Sequence, residues 1–222
     1  MRWPSCSMAR RATTSAPPTV PSKVKSIAWG SGQTMYRVHD AIYAVDQFNP
    51  SPKGNARFSP ILDPSGKVIP TLYAATTPRG ALMESVFRDV PYRTGFKHVD
   101  AKRLEGKACS TVEFQIDFQF LDLSKVALRG LGIPPRQLID TTKAHYPATR
   151  SWAEKMYAAH PQIQGFLWSS RQDDRALAVV LFGTRVKTSD LLDAKVSRPL
   201  IQRGVPEDFV LELATDLKVL LK

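Results

Sequence analysis

A regular alternation of apolar and polar residues over 112–120 is the strongest structural signal in the sequence. The apolar positions, each separated by one Glu, Gln or Asp, are Val112, Phe114, Ile116, Phe118 and Phe120. Successive side chains of a β-strand point to opposite faces of a sheet, so this period of two predicts a strand with one buried face. Such a strand needs further strands beside it and a second layer over its apolar face.

The remaining predicted elements include both strands and helices. Apolar runs predict strands over 34–38, 71–75 and 177–182, whereas helical spacing predicts helices over 78–87, 135–145, 148–159 and 206–221. Thr77 is the expected N-cap of the first helix, with Pro78 in its first turn. Residues 44–70 are rich in Pro, Gly, Asn and Ser, which predicts a long loop that is functional or disordered. Because strands and helices do not alternate regularly, we expect an α+β fold with mixed or antiparallel sheets and peripheral helices.

The chain length of 222 residues fits one domain after a distinct N-terminal segment. Residues 1–26 hold four prolines, five basic residues and no acidic residue, which predicts a disordered basic tail before a folded domain at 27–222. The longest apolar run, 176–183, is far shorter than the ~20 residues that cross a bilayer, so no membrane association is expected. Cys6 and Cys109 provide no disulfide framework, which favours the cytoplasm.

The net charge of +11 favours an anionic partner, which the charge alone does not identify as nucleic acid, metabolite or protein. The sequence lacks the glycine-rich nucleotide-binding motifs, His-Glu-x-x-His, Cys-x-x-Cys and Gly-x-Ser-x-Gly. Its four histidines do not have the spacing of metal ligands, so no metal site is expected. Neither a helix-turn-helix nor an aromatic–basic RNA-binding motif is found.

Several polar and aromatic residues lie beside the predicted strands and form the candidate site. They are Arg37, Arg57, Phe58, Tyr73, Glu84, Ser170 and Arg171. Each of them alone has an ordinary structural interpretation: a surface arginine, a core tyrosine, a turn serine, or a glutamate paired with Arg88 one helical turn later. Their order along the chain is more informative than any one of them.

Taken in order, the segments that carry these residues resemble the RES family, which is named for Arg, Glu and Ser. The matching segments are Tyr36-Arg37, Ala56-Arg57-Phe58, Leu72-Tyr73-Ala74-Ala75, Ala81-Leu82-Met83-Glu84 and Trp168-Ser169-Ser170-Arg171. Two segments depart from the family pattern, in which the loop usually ends Gly-Arg-Trp and the late motif often reads Tyr-Pro-Ser-Arg. We align the family serine with Ser170 because it directly precedes the arginine, and Ser169 is the alternative.

The resemblance implies an ADP-ribosyltransferase-like fold and a cytoplasmic toxin of a type II toxin–antitoxin system that depletes NAD+. The nicotinamide–ribose bond would be cleaved with phosphate or water as acceptor, which makes the enzyme an NAD+ phosphorylase or an NAD+ glycohydrolase. NAD+ is then a substrate, inorganic phosphate a co-substrate in the first case, and no cofactor is expected. The implied partner is an antitoxin with an Xre-type helix-turn-helix that blocks the active site, so DNA would be contacted only through it. Whether the chain forms a homodimer is left open.

The reaction suggests a role for each candidate residue. Loss of nicotinamide places positive charge on the ribose, as in glycoside hydrolysis, and Glu84 would stabilise it. Arg37 and Arg57 would bind the diphosphate, because no glycine-rich loop offers backbone amides. Tyr73 would stack on nicotinamide or ribose, Phe58 would form an aromatic wall, and Ser170 and Arg171 would contact the substrate.

Ser170 is not expected to be a nucleophile, because no base lies beside it in the sequence. Two other functions fit the residues less well. One is an ADP-ribosyltransferase that modifies a macromolecule, which would use the same fold and the same glutamate. The other is a non-enzymatic basic module that binds nucleic acid.

Overall fold

The computed structural model describes residues 21 and 23–222, so most of the predicted tail, residues 1–20 and 22, lies outside the described residues. The α-helices are α1 (Pro78–Met83), α2 (Lys125–Gly130), α3 (Pro135–Leu138), α4 (Tyr146–Ala159) and α5 (Asp208–Asp216). The first seven strands are β1 (Ser26–Trp29), β2 (Thr34–Asp40), β3 (Ile61–Leu62), β4 (Val68–Ile69), β5 (Thr71–Ala75), β6 (Lys97–Val99) and β7 (Lys107–Phe114). The other strands are β8 (Phe118–Asp122), β9 (Gly165–Ser169), β10 (Leu177–Phe182), β11 (Leu191–Pro199), β12 (Ile201–Gln202), β13 (Val205–Pro206) and β14 (Val219–Leu221).

The centre of the fold is an eight-stranded sheet in the order β1-β8-β9-β10-β5-β2-β7-β11. Neighbouring strands are antiparallel except β8 and β9, which are parallel. Short two-stranded sheets and the helices surround it, which confirms the predicted α+β class with a mixed sheet. None of the helices in the described range has the length and hydrophobicity of a membrane-spanning segment.

The prediction of a single strand over 112–120 is wrong. The structure divides this segment into the end of β7 and the start of β8, with a turn at 115–117 that leaves Ile116 39% exposed. β7 and β8 lie near opposite ends of the strand order, yet four residue steps span at most about 14 Å. The sheet must therefore curl until these two ends approach each other, and the rings of Phe114 and Phe118 meet with centroids 4.6 Å apart.

The alternation identified the buried side chains correctly, because Val112, Phe114, Phe118 and Phe120 are fully buried. It could not reveal the break, since the turn leaves the period of two in the sequence unchanged. The predicted strands over 34–38, 71–75 and 177–182 are confirmed as β2, β5 and β10. The predicted loop 44–70 contains the small β3–β4 hairpin.

The predicted helices lie near observed ones, but three of them are shorter than predicted. Thr77 is the N-cap of α1, accepting a hydrogen bond from the Gly80 amide, but the helix ends at Met83 instead of Phe87. The predicted helix over 135–145 is the short α3 followed by a 3₁₀ turn at Lys143–His145. The predicted helix over 206–221 stops at Asp216, because β14 then pairs in parallel with β6.

Candidate active site

On one face of the sheet, neighbouring residues of the four strands β2, β5, β10 and β9 border a cavity. The register places Tyr36 of β2 opposite Ala75 of β5, Ala75 opposite Ala178 of β10, and Ala178 opposite Trp168 of β9. Residues directly opposite each other share a face, so two alanines lie between two large aromatic side chains. This cavity has a volume of about 200 Å³, Arg57, Tyr73, Glu84 and Tyr146 also line it, and we call it the site cavity.

Helix α1 brings Glu84 to this cavity. The helix lies close to the sheet at Gly80, where an added Cβ would approach the Cβ of Ala176 to 2.5 Å. Glu84 is the first residue after the helix, and its side chain is only 16% exposed. Its Oε1 accepts a 2.6 Å hydrogen bond from Ser170 Oγ, and its Oε2 lies 3.8 Å from Arg57 Nη1. The carboxylate is therefore held from two sides at the cavity wall.

Ser170 has the geometry of a positioning residue. It follows β9 and is buried, and its oxygen accepts hydrogen bonds from the amides of Gln172 and Asp173 at 3.2 and 3.1 Å. A hydroxyl has one proton to donate, and here that proton is directed to Glu84. The neighbouring Ser169 is exposed, so the structure brings Ser170, and not Ser169, to the glutamate.

The loop that carries Arg57 is fixed by helix α4 and by Tyr73. Thr149 Oγ1 donates to the Arg57 carbonyl, and the Phe58 amide donates to the Tyr73 hydroxyl at 3.0 Å. Arg57 is buried, and its guanidinium carbon lies 5.9 Å from the centre of the Tyr146 ring. Burial raises the pKa of the Tyr73 phenol well above its ordinary value, so this hydroxyl remains neutral at physiological pH.

Phe58 supports the site from behind. Its side chain is fully buried, and its ring packs edge-on against Phe166 and Trp168 with centroid distances of 5.4 and 5.3 Å. Trp168 in turn lines the site cavity. The aromatic wall that the sequence assigned to Phe58 is thus presented to the cavity by Trp168, with Phe58 as the layer beneath it.

The structure places Arg37 apart from Glu84. Its Nη1 donates to the carbonyls of Val45 and Gln47 at 2.5 and 2.8 Å. Burial lowers the pKa of Arg37 to about 10, although the charge of Asp46 partly opposes this shift. Arg37 lines a second cavity of about 620 Å³, which adjoins the site cavity at Val38, Ala56 and Tyr73. Its observed contacts hold the loop after β2 in place.

Arg171 also lies outside the site cavity. Its Nη1 donates to the Thr141 carbonyl at 2.8 Å, and it lines a third cavity of about 300 Å³. This third cavity adjoins the site cavity at Arg57, Arg88 and Tyr146. Of the seven predicted residues, the structure therefore gathers Arg57, Tyr73, Glu84 and Ser170 closely, with Phe58 behind them and Arg37 and Arg171 in the flanking cavities.

Sequence reasoning missed the large aromatic and charged residues Tyr36, Arg88, Tyr146 and Trp168, which also line the site cavity. Tyr36 and Trp168 lie inside the motifs that carried the resemblance, so their aromatic character was a usable signal. Arg88 is one turn beyond Glu84, but the salt bridge of Glu84 is made to Arg57. Tyr146 opens α4, and no local pattern marks it. Within residues 21 and 23–222, no cluster of three His, Cys, Asp or Glu side chains could hold a metal ion.

The family of the chain follows from a comparison with known proteins. The family model of the RES domain matches residues 34–200, which include every one of these site residues. The chain belongs to the RES domain family. No curated protein matches it at a significant level.

The fold of this RES domain is shared with a solved structure. A chain of the crystal structure of the M. tuberculosis MbcT–MbcA toxin–antitoxin complex superposes on it with a TM-score of 0.57 at 18% sequence identity. The match covers 87% of this chain and 91% of the other. At this identity the likeness establishes a common fold.

Proposed function

We propose that this RES domain protein is the toxin of a toxin–antitoxin pair and that it consumes NAD+ by breaking the nicotinamide–ribose bond. One observation carries the enzymatic part of the proposal. A glutamate carboxylate, Glu84, is held by Ser170 and Arg57 at the wall of a cavity that four aromatic side chains also line. Such a site offers negative charge beside surfaces on which planar rings stack.

The chemistry requires a carboxylate of this kind. When the bond between ribose C1′ and the nicotinamide nitrogen breaks, its electron pair neutralises the pyridinium ring and leaves positive charge on the ribose. Glu84 Oε2 faces this charge, while Oε1 is occupied by the Ser170 hydroxyl. An oxygen of water or phosphate then bonds to C1′. Water keeps one proton in the new hydroxyl and releases the other to solvent, whereas a phosphate dianion adds through an oxygen that carries no proton. The rate gain comes from a charge fixed before the reaction begins.

The aromatic residues of the cavity suit the leaving group. Tyr36, Tyr73 and Trp168 surround a floor of two alanines, which leaves room for a flat ring. Arg57 lies next to Glu84 and provides a planar guanidinium that matches phosphate oxygens. In this arrangement nicotinamide lies among the aromatic side chains, the ribose at Glu84 and the diphosphate toward Arg57.

The toxin role is supported by family membership and by the fold shared with a chain of the MbcT–MbcA toxin–antitoxin complex. We propose that the toxin acts in the cytoplasm and that its partner is an antitoxin of the Xre helix-turn-helix type. The protein would then reach DNA only through that partner. The net charge of +11 favours an acidic surface on the partner.

Product analysis tests the proposed reaction. Purified protein is incubated with NAD+, with and without inorganic phosphate, and the products are separated by chromatography and identified by mass. Free nicotinamide with ADP-ribose indicates hydrolysis, and nicotinamide with ADP-ribose-1″-phosphate indicates phosphorolysis. Either result supports the proposal.

Two results would contradict it. Transfer of ADP-ribose to added protein or nucleic acid, with no free ADP-ribose or its phosphate, would indicate a macromolecular ADP-ribosyltransferase. Unchanged NAD+ together with retention of DNA would indicate a binding module without enzymatic activity. A Glu212→Gln variant, changed at an exposed glutamate of α5, serves as the matched control for variants at Glu84.

A further inference from the structure

The Arg57 side chain lies close to the Glu84 carboxylate without a hydrogen bond between them. Arg57 Nη1 is 3.8 Å from Glu84 Oε2, whereas a hydrogen bond from arginine to a carboxylate is about 2.7–2.9 Å long. Both side chains are largely buried, so water screens their attraction only weakly. An unrestrained guanidinium would move closer by about 1 Å and bind the carboxylate. Other contacts must therefore hold the guanidinium in place.

The first turns of α4 hold the backbone of the loop that carries Arg57. The fully buried Thr149 hydroxyl donates to the Arg57 carbonyl. Arg150 Nη1 donates to Asn55 Oδ1 at 2.9 Å and to the Ala56 carbonyl at 3.3 Å. These bonds fix the point from which the Arg57 side chain extends, but they do not reach its guanidinium.

The ring of Tyr146 is the contact that reaches the guanidinium. Its centre lies 5.9 Å from the guanidinium carbon of Arg57, within the range of an attraction between a cation and an aromatic face. Tyr146 is buried and opens α4, and Thr149 Oγ1 lies 3.0 Å from its carbonyl oxygen. The helix that holds the Arg57 backbone thus also fixes this ring, and the attraction is stronger because water is excluded.

We infer that Tyr146 is a positioning residue that keeps the Arg57 guanidinium apart from the Glu84 carboxylate. Glu84 Oε1 accepts the hydrogen bond from Ser170, so Oε2 is the oxygen that remains for a substrate. A closed ion pair with Arg57 would occupy Oε2 and offset the charge that acts on the ribose. The effect on rate rests on the proposed function, whereas the separation of the two side chains does not.

Tyr146 also lines the site cavity, so a second role has to be distinguished from positioning. A ring that only contacts the substrate would contribute equally to the ground state and the transition state. Its loss would raise KM and leave kcat unchanged. Occupation of the Glu84 carboxylate by Arg57 would instead lower kcat, because the charge acts in the transition state.

Steady-state release of nicotinamide from NAD+ is measured for the wild type, Tyr146→Phe, Tyr146→Leu and the control Tyr157→Leu. The ring centre of Tyr157, near the other end of α4, lies 3.6 Å from the guanidinium carbon of Arg185. The control therefore removes the same kind of contact from the same helix, away from the site. In Tyr146→Leu kcat should fall about tenfold, less than the loss of about 10²–10³ expected when a catalytic charge is removed.

Tyr146→Phe and Tyr157→Leu should keep the wild-type kcat, because the first retains the ring and the second leaves the site unchanged. A kcat as low in Tyr146→Phe as in Tyr146→Leu would assign the effect to the hydroxyl and overturn the inference. An increase in KM with unchanged kcat in Tyr146→Leu would also overturn it.

Ring fluorination separates the charge distribution of the ring from its packing. Phenylalanine analogues with increasing numbers of ring fluorines at position 146 keep the shape of the side chain but weaken the negative potential of its face. Values of kcat should fall stepwise with fluorination, and this series remains informative even if Tyr146→Leu does not fold. A kcat that is independent of fluorination would overturn the inference.

A crystal structure of Tyr146→Leu, or of the most fluorinated variant, tests the positioning without any reaction. The distance between Arg57 Nη1 and Glu84 Oε2 should shorten from 3.8 Å to the length of a hydrogen bond, about 3 Å. An unchanged distance would overturn the inference. If the wild type never releases nicotinamide, the proposed function fails, whereas the shortened distance would still support the role of Tyr146.

Discussion

At the residue scale, Tyr73 connects the sheet to the loop that carries Arg57. Its hydroxyl accepts a hydrogen bond from the backbone amide of Phe58, and Phe58 is fully buried. Its ring lines the site cavity and lies edge-on to Trp168 with a centroid distance of 6.3 Å. One side chain therefore combines a structural hydrogen bond with a surface offered to the substrate.

Tyr73→Phe should reduce the free energy of unfolding by about 1–3 kcal/mol, because it leaves the buried Phe58 amide without an acceptor. Urea unfolding measures this loss. Tyr157→Phe is the control, since that hydroxyl bonds to Thr184 at an exposed position and should contribute only about 0.5 kcal/mol or less. Equal losses in the two variants would contradict the role assigned to Tyr73.

At the element scale, close packing between β8, β9 and β10 determines where Trp168 and Ser170 lie. Gly165 opens β9, and an added Cβ there would be 2.2 Å from the Val180 carbonyl oxygen and 3.0 Å from the Phe120 ring. Only a residue without a side chain allows this approach. The end of β9, which carries Trp168 and leads to Ser170, depends on the same register.

Gly165→Ala should destabilise the protein by about 2 kcal/mol or more, since backbone must move to admit the methyl group. Thermal unfolding gives the comparison. Gly130→Ala is the matched control, because a Cβ at that position on α2 meets no atom within 4 Å and should be neutral or slightly stabilising. A Gly165→Ala protein as stable as this control would show that the β9–β10 contact is looser than described.

The sequence predicted elements best where one local pattern determined them. The runs at 71–75 and 177–182 are buried strands, and Thr77 caps α1. The sequence patterns failed where pairing between strands far apart in the chain determines the structure. Strand β14 forms because the edge of β6 is available for pairing. Strands β7 and β8 are separate because the sheet curls. Motif order located Arg57, Tyr73, Glu84 and Ser170, whereas Tyr146 and Arg88 reach the cavity only through the tertiary fold.

At the scale of the whole molecule, pH should alter stability through His39. Burial, and secondly the charge of Arg37, lower the pKa of His39 from its ordinary value of 6.5. The unfolded chain then binds a proton at a higher pH than the folded protein does, so the folded state should lose stability as pH falls through 6.5.

Urea unfolding at about pH 7.5 and about pH 5.5 measures this loss for the wild type and for His39→Gln. The wild type should lose more stability between the two values than the variant does. The comparison removes the contributions of other titrating groups, because both proteins share them. An equal or larger loss in the variant would contradict the lowered pKa.

The proposed toxin should arrest growth when it is expressed alone in bacteria, with cellular NAD+ falling before growth stops. A co-expressed antitoxin should relieve both effects, and the Glu84→Gln variant should cause neither. Measuring NAD+ alongside growth matters, because arrest with constant NAD+ would indicate a different target. Normal growth with constant NAD+ would contradict toxicity altogether.

The most direct test of the catalytic site is nicotinamide release from NAD+ by wild-type, Glu84→Gln and Glu212→Gln proteins that unfold at the same urea concentration. A carboxylate that stabilises the ribose in the transition state predicts a loss of about 10²–10³ in rate for Glu84→Gln and no change for Glu212→Gln. Nicotinamide release by Glu84→Gln at the wild-type rate would contradict the account.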